Sequence, residues 1–112
     1  MIMNRKVAAL SVHKIEFDKI PWETPMKGVR AKRFVQEGRQ LRLVEYTPEM
    51  EPHWCEKGHF GRILEGRFEI EFGGEKVIYE AGDGVFIPSG KDDRHKGRAL
   101  TPIVRVIFVE DV

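Results

Sequence analysis

The chain has 112 residues, a length that suits one packed domain and is too short for two separate hydrophobic cores. Charged residues make up 33% of it, but 19 basic side chains almost balance 18 acidic ones, so the formal charge is only +1. The basic residues are scattered, unlike those of a nucleic-acid-binding surface, and no apolar run approaches the length of a membrane span. We therefore expect neither a nucleic acid nor a membrane as a partner.

Cysteine content indicates the compartment. Cys55 is the only cysteine, so an internal disulfide is impossible and nothing points to an oxidising environment. The short apolar patch near the N-terminus is too brief for the hydrophobic region of a signal peptide. We expect a cytoplasmic protein.

Short segments of alternating or β-branched apolar character recur along the chain, each closed by glycine, proline or a polar cluster. No long stretch repeats at helical spacing, so the sequence predicts an all-β fold. Residues 1–25 are expected to hold a first strand and an irregular, proline-containing connection. The predicted strands are 12–17, 29–36, 40–46, 53–55, 60–64, 67–72, 76–80, 85–87 and 103–109.

The clearest local prediction is a hairpin. Residues 67–72 alternate between apolar and charged side chains, as a strand with one buried face does. Gly73 and Gly74 tolerate positive φ and predict a two-residue turn, after which residues 76–79 return as the partner strand.

So many short strands require either a sandwich or a closed barrel, because open sheet edges invite aggregation. Residues 103–109 are apolar on both faces apart from Arg105, which suits a strand covered on both sides and able to close the sheet. Periodicity alone does not choose between the two architectures.

Three of the four histidines and the cysteine lie between residues 53 and 95. On a strand, His53 and Cys55 share one face because side chains alternate with a period of two. A following turn brings His59 back beside them, while His95 comes from elsewhere. Imidazole and thiolate suit zinc, iron, copper or nickel, and the lack of an obvious carboxylate ligand argues against calcium and magnesium. The pattern predicts a mononuclear site for a divalent transition metal.

These residues lie in two segments that resemble the two cupin motifs. From His53 to Gly66 the chain resembles the first motif, in which two histidines, a glutamate and a glycine follow at set spacings. His53 and Cys55 stand at the histidine positions, His59 at the glutamate and Gly66 at the glycine. Residues 82–90 resemble the second motif, with glycine, proline and glycine at the family's spacing.

The resemblance implies a double-stranded β-helix, or jelly-roll barrel, with the metal-motif region at 53–97. In the second motif the expected histidine position holds Asp93, and a two-residue loop extension after Gly90 would place His95 in the site instead. The ligands implied are His53, Cys55, His59 and His95. A neutral ligand at the glutamate position favours softer metals over manganese.

Simpler interpretations of the same residues stay open. His53 and His59 are also compatible with surface histidines at a strand end, and His95 with a solvated charge run. Cys55 also suits a small buried hydrophobe or a redox-sensitive thiol.

Two arginines lie in otherwise apolar predicted strands, where an unpaired guanidinium would be costly to bury. If Arg42 or Arg105 points into the barrel, it can anchor a carboxylate through two hydrogen bonds. The alternative is an ion pair on the sheet surface, for example with Glu45.

The resemblance implies a metal-dependent protein that acts on a small organic molecule, with dioxygenase, isomerase and lyase chemistry all represented in the family. Weak candidates for a catalytic acid or base are Glu45, Tyr46 and Asp93. The alternatives are a module that binds or senses a metal or small ligand without turnover, and a metal-free barrel used for assembly. The resemblance also implies a homodimer.

Overall fold

The computed structural model describes residues 12–112, which form nine strands and two 3-10 helices. The 3-10 helices cover Phe17–Lys19 and Lys91–Asp93. The all-β prediction is therefore confirmed. The strands are β1 (Glu23–Met26), β2 (Val29–Gln36), β3 (Arg39–Tyr46), β4 (His59–Glu65), β5 (Arg67–Glu71), β6 (Lys76–Glu80), β7 (Gly84–Ile87), β8 (Lys96–Ala99) and β9 (Val104–Asp111).

The strands form two antiparallel sheets, a larger one in the order β1-β2-β3-β9-β4-β7 and a smaller one in the order β6-β5-β8. Their inner faces pack together, and Tyr46 of the larger sheet stacks on Phe68 of the smaller with ring centroids 4.8 Å apart. This arrangement agrees with the predicted jelly-roll barrel. Strand β9 lies between β3 and β4, so the segment predicted to close the sheet occupies its centre.

One buried cluster joins the two sheets. Burial of these apolar side chains is the main favourable term in folding. Its members are Val29, Ala31, Val44, Met50, Ile63, Phe68, Ile70, Val85, Ile87, Ala99, Val104, Val106 and Phe108.

The register of β3 against β9 divides the inner face of the larger sheet into an apolar and a polar part. Val106 pairs with Val44, while Glu110 pairs with Gln40. Because side chains alternate along a strand, the buried face of β9 runs through three apolar residues and ends on a carboxylate. The polar part lies beside the start of β4.

Two turns depend on left-handed backbone. Glu37 and Gly38, with φ of 52° and 77°, form the two-residue turn between β2 and β3, which matches the twist of the hairpin. Gly66, the glycine of the first motif, has φ of 85°, and a Cβ there would lie 2.2 Å from the carbonyl oxygen of Ile103. Glycine is thus required for β4 to pass into β5.

The prediction of a strand at 12–17 is wrong. These residues form an irregular segment that leads into the 3-10 helix at Phe17–Lys19. The Val12 N–H donates to the side chain of Gln36, whose amide donates to the Val12 carbonyl, so a side chain replaces the expected strand partner. Conversely, β1 forms within the segment that was expected to be irregular.

Three further differences concern residues 53–99. Residues 53–55 form no strand, and Cys55 makes only an isolated bridge with His95. Strand β8 was missed because its charged side chains resemble a solvated run. The hairpin of β5 and β6 is confirmed, although neither glycine of its turn has a positive φ.

Candidate metal centre

Cys55, His59 and His95 bring their donor atoms together at one point inside the barrel. The sulfur and one ring nitrogen from each histidine all lie within 4.8 Å of one another. His59 is the first residue of β4, Cys55 lies in the connection that precedes it, and His95 directly precedes β8. The structure thus joins three of the four predicted ligands.

Backbone hydrogen bonds hold the two motif segments together. Cys55 and His95 exchange N–H···O bonds of 2.7 and 2.9 Å, which places their side chains side by side. Nearby, the Gly90 N–H donates to the Glu56 carbonyl at 2.9 Å, and the Gly58 N–H to the Ser89 hydroxyl at 2.8 Å. These bonds position the donors even though residues 53–55 are not part of a strand.

One ring nitrogen of His95 makes a hydrogen bond, and the other has no partner among the described residues. Its Nδ1 lies 2.9 Å from the Asp93 carbonyl oxygen, an acceptor that requires the proton on Nδ1. Its Nε2 is buried and has no hydrogen-bond partner among the described residues. Burial, and next the neighbouring His59, lower the pKa of His95, so the ring is neutral and Nε2 carries a lone pair. A buried lone pair without a partner is costly, and a metal ion would satisfy it.

His59 is oriented in the same way by a carboxylate. Its Nδ1 donates to Glu110 Oε2, and in the neutral ring this leaves Nε2 as the acceptor. Its ring stacks on Phe108 at 4.7 Å and meets the His95 ring edge-on at 5.2 Å. Metal-binding histidines commonly donate their second ring nitrogen to a carboxylate or a carbonyl, and both histidines here do so.

Glu110 is the centre of a buried polar network. Its side chain is fully buried and accepts hydrogen bonds of 2.7 Å from Gln40 Nε2, Arg42 Nε and Arg42 Nη2, besides the one from His59. Burial alone would raise the pKa of Glu110, but the bonds from His59 and Arg42 outweigh it and hold the pKa well below its usual range. The carboxylate is therefore ionised and acts only as an acceptor.

Cys55 is half-buried and has no disulfide partner. Its sulfur accepts a hydrogen bond from the Lys57 backbone N–H at 3.4 Å. A sulfur beside two imidazole nitrogens forms a donor set typical of zinc, iron, copper or nickel. The residues present therefore fit a transition-metal ion.

His53 lies outside this cluster. Its side chain is exposed, and Nδ1 is 3.2 Å from the Glu51 carbonyl oxygen. It does line the same cavity, but it does not join the three converging donors. Its role as a ligand stays a prediction.

The candidate catalytic residues occupy different places. Tyr46 lines the cavity, and burial raises the pKa of its hydroxyl. Asp93 contributes its backbone carbonyl to His95. Glu45 lies on the opposite face of β3, where it accepts hydrogen bonds from Arg30 at 2.8 Å and Arg105 at 2.7 Å, so it is not brought into the site.

The cavity around the donors has a volume of about 570 Å³. Its wall is largely apolar and includes Met50, Phe68, Ile70 and Phe108. A cavity with a few convergent polar groups in an apolar wall is the usual form of a small-molecule site.

The sequence-based argument missed Glu110 as part of the site. The available signal was periodicity, because Glu110 continues the apolar face that Val104, Val106 and Phe108 form on β9. A carboxylate at the end of a buried face needs partners. Which partners it has depends on strand register, which the sequence does not show.

Comparison with known families agrees with this geometry. Residues 42–109, more than half of the chain, match the family model described as the cupin domain. The chain is a member of the cupin family. The match includes all of β4 and most of β3 and β9, and it contains every residue discussed as a ligand.

Solved structures share the fold of this cupin. KdgF from Halomonas sp. superposes with a TM-score of 0.75 at 23% identity, over 90% of this chain and 94% of that one. The Fe(II) form of HppE superposes with a TM-score of 0.73 at 15% identity, over 88% of this chain and 60% of that one. A protein of unknown function from Rhizobium leguminosarum bv. viciae 3841 gives 0.72 at 17% identity, over 90% and 97%. At these identities the similarity concerns the fold.

No curated protein matches this cupin in sequence. Among the described residues, no helix is long and apolar enough to span a bilayer.

Proposed function

We propose that this cupin binds one divalent transition-metal ion through Cys55 Sγ, His59 Nε2 and His95 Nε2, and that it acts on a small organic molecule held beside the metal. The observation that carries the proposal is the buried Nε2 of His95, which has no hydrogen-bond partner among the described residues and adjoins two other donors. A purely structural histidine would be expected to have its buried nitrogen paired.

Three protein donors favour an enzyme over a closed structural site. Structural zinc sites use four protein ligands, whereas catalytic sites use three and leave a position for water or substrate. Because His53 lies outside the donor cluster, a metal held by the other three residues would keep a position for water or substrate. The alternative, a module that binds or senses a ligand without turnover, would be favoured if His53 completed the shell.

When bound, the metal would supply Lewis acidity or activate water or dioxygen. The chain's own residues have separate tasks. Glu110 holds His59 in the tautomer that presents Nε2, and the Asp93 carbonyl does the same for His95. Apolar side chains of the cavity wall would contact the apolar part of a ligand. Dioxygenase, isomerase and lyase reactions are all compatible with this arrangement.

The donor set favours iron, zinc, nickel or copper. The comparison is consistent with iron, because one structure with the same fold is of an Fe(II) form. A thiolate ligand is preserved in a reducing compartment, which supports the proposal of a cytoplasmic protein.

Elemental analysis of the untagged protein, purified without chelator and after reconstitution, tests this proposal. We expect near-stoichiometric metal in the wild type and its loss in His59→Ala and His95→Ala, with weaker retention in Cys55→Ala. Circular dichroism of each metal-free variant shows whether the barrel still folds. A folded wild-type protein that takes up no iron, zinc, nickel or copper would overturn the proposal.

The homodimer is a separate proposal. On the outer face of the larger sheet, Val109, Phe60 and Phe86 lie opposite one another on β9, β4 and β7, and the Phe86 side chain is 80% exposed. A second copy would bury this apolar row. Light scattering on the wild type and on Phe86→Ser measures the association, and a wild-type monomer would contradict it.

A further inference from the structure

Arg42 binds Glu110 with only one edge of its guanidinium. Its hydrogen bonds to Glu110 use Nε and Nη2, each 2.7 Å from a Glu110 oxygen. The two N–H groups of Nη1 are not used in that pair. In the ion pair the Glu110 side chain is fully buried, whereas that of Arg42 is 17% exposed, so the accessible part belongs to the arginine.

The Arg42 guanidinium lies next to the donor cluster. Arg42 Nη2 and His59 Nδ1 both donate to the same oxygen, Glu110 Oε2. Because Arg42 and His59 donate to the same oxygen, only the Glu110 carboxylate separates the guanidinium from a ligand of the proposed metal centre. Arg42 also lines the cavity.

A second donor adjoins it. Tyr46 follows Arg42 on the same inward face of β3, two pleats along, and its side chain lies beside the guanidinium. The ring is held by stacking on Phe68, and the residue lines the cavity. A guanidinium N–H and a phenolic O–H side by side offer two donors to a ligand with two acceptor oxygens.

The charge of the cavity is consistent with an anionic ligand. Its lining contains four cationic side chains, Arg33, Arg42, Lys57 and Lys96, but only two carboxylates, Glu23 and Glu110. Both carboxylates are already paired, with Arg33 and Arg42 respectively, and Lys96 pairs with Glu71 at 4.0 Å. Among the described residues, Lys57 is the cation of this lining that makes no ion pair. A largely apolar wall with one unpaired ammonium group and no unpaired carboxylate among the described residues favours a small organic acid over a cation.

We propose that Arg42 Nη1 and the Tyr46 hydroxyl bind the carboxylate of the substrate, so that this cupin takes a small organic acid whose other end reaches the metal. The inference rests on the proposed metal centre, which supplies the second point of attachment. Two donors set at a distance from the metal would also orient the substrate relative to the open coordination position.

Calorimetric titration of the zinc-loaded protein with benzoate and with benzamide tests the inference. The two probes have nearly the same shape and differ in charge. The variants are Arg42→Lys, which keeps a cation for Glu110 but has no second edge, and Tyr46→Phe, which leaves the Arg42–Glu110 pair intact. Arg105→Lys is the matched control, because Arg105 pairs with Glu45 on the outer face of the same sheet. Metal content is measured for every sample.

We expect the wild type to bind benzoate roughly tenfold or more tightly than benzamide, since a charge-assisted hydrogen bond contributes at least that factor. Arg42→Lys and Tyr46→Phe should each lose most of this preference while they keep zinc, and Arg105→Lys should retain it. If Arg42→Lys loses zinc, Tyr46→Phe decides the result.

Two other outcomes would overturn the inference in distinguishable ways. If the protein holds zinc but the variants bind benzoate as the wild type does, or if the wild type shows no preference, the carboxylate subsite is wrong and the metal centre stands. If the wild type holds no metal at all, the proposed function fails, and this inference fails with it.

Discussion

The larger sheet carries two buried glutamate side chains, one on each face, and each is paired with arginine. Glu45 on the outer face accepts hydrogen bonds from Arg30 and Arg105, and Glu110 on the inner face accepts them from Gln40, Arg42 and His59. In both cases hydrogen bonds from arginine lower the pKa of the carboxyl group against the opposing effect of burial.

The difference lies in what the partners touch. Around Glu45 the partner side chains are 49% and 39% exposed, so water reaches the arginines and the pair ties neighbouring strands together. Around Glu110 the partners are largely buried. One of them is His59, which also brings a ring nitrogen close to the donor atoms of Cys55 and His95. The same pairing chemistry thus ties strands together on one face and lies beside the proposed metal site on the other.

The largest expected effect is on stability. Glu110→Ala should reduce the free energy of unfolding by about 3–5 kcal/mol, because it leaves the buried Arg42 charge without its partner. Glu45→Ala should cost about 1 kcal/mol, because its partners are accessible to water. Urea denaturation in the presence of a chelator measures both values without a contribution from metal. Equal losses would contradict the distinction between the two faces.

The second-largest expected effect is a difference in metal affinity between variants of Glu110 and Glu45. Glu110→Gln keeps the shape of the side chain but loses the charge that orients His59, and we expect metal binding to weaken about 10- to 100-fold. Glu45→Gln is the matched control and should bind metal as the wild type does. Competition with a chromophoric chelator gives the affinities. Unchanged binding in Glu110→Gln would show that Glu110 does not act on the metal site.

The acid limb of the stability profile should reflect both groups. A carboxyl whose folded-state pKa lies below its unfolded value stabilises the fold above the unfolded value, near 4.5, and that stability is lost as the pH falls toward the folded-state pKa. The free energy of unfolding should therefore fall below pH 4.5, and Glu110→Gln should flatten this slope more than Glu45→Gln. Thermal unfolding of the metal-free protein from about pH 6 to about pH 2.5 measures this slope on both sides of the unfolded-state pKa. A slope that both variants leave unchanged would contradict the assignment.

The smallest expected effect concerns His53. Because it is exposed and lies outside the donor cluster, His53→Ala should leave metal content and affinity unchanged. Elemental analysis beside His95→Ala provides the comparison. Loss of metal would instead support the prediction, made from the motif, that His53 is a ligand.

Much of the fold followed from local pattern. The alternation along residues 67–72 and the apolar faces at 29–36 and 103–109 predicted strands that the structure contains. At 12–17 the same signal failed: the segment has no strand partner, and Val12 hydrogen-bonds to the side-chain amide of Gln36. Alternation describes an element only where a neighbouring strand is present to pair with it.

The prediction of the site was likewise limited to what residue types and local spacing show. Donor chemistry and the motif resemblance predicted Cys55 and His59 as ligands, and His95 with a two-residue loop extension; the structure brings these three together. The argument that placed His53 beside Cys55 assumed a strand, and residues 53–55 are not one. The position of Cys55 is instead set by its backbone bonds to His95, forty residues away in the chain.

By itself, the sequence determined the all-β class, the donor types and the family resemblance, because these depend on residue identity and short-range spacing. The tertiary structure alone decided that Glu110 lies against Gln40 and His59, which are 70 and 51 residues from it in the chain. The register of β9 between β3 and β4 makes those contacts, and a shift of one residue would turn Glu110 to the outer face. Register depends on how the whole sheet packs, so no local pattern encodes it.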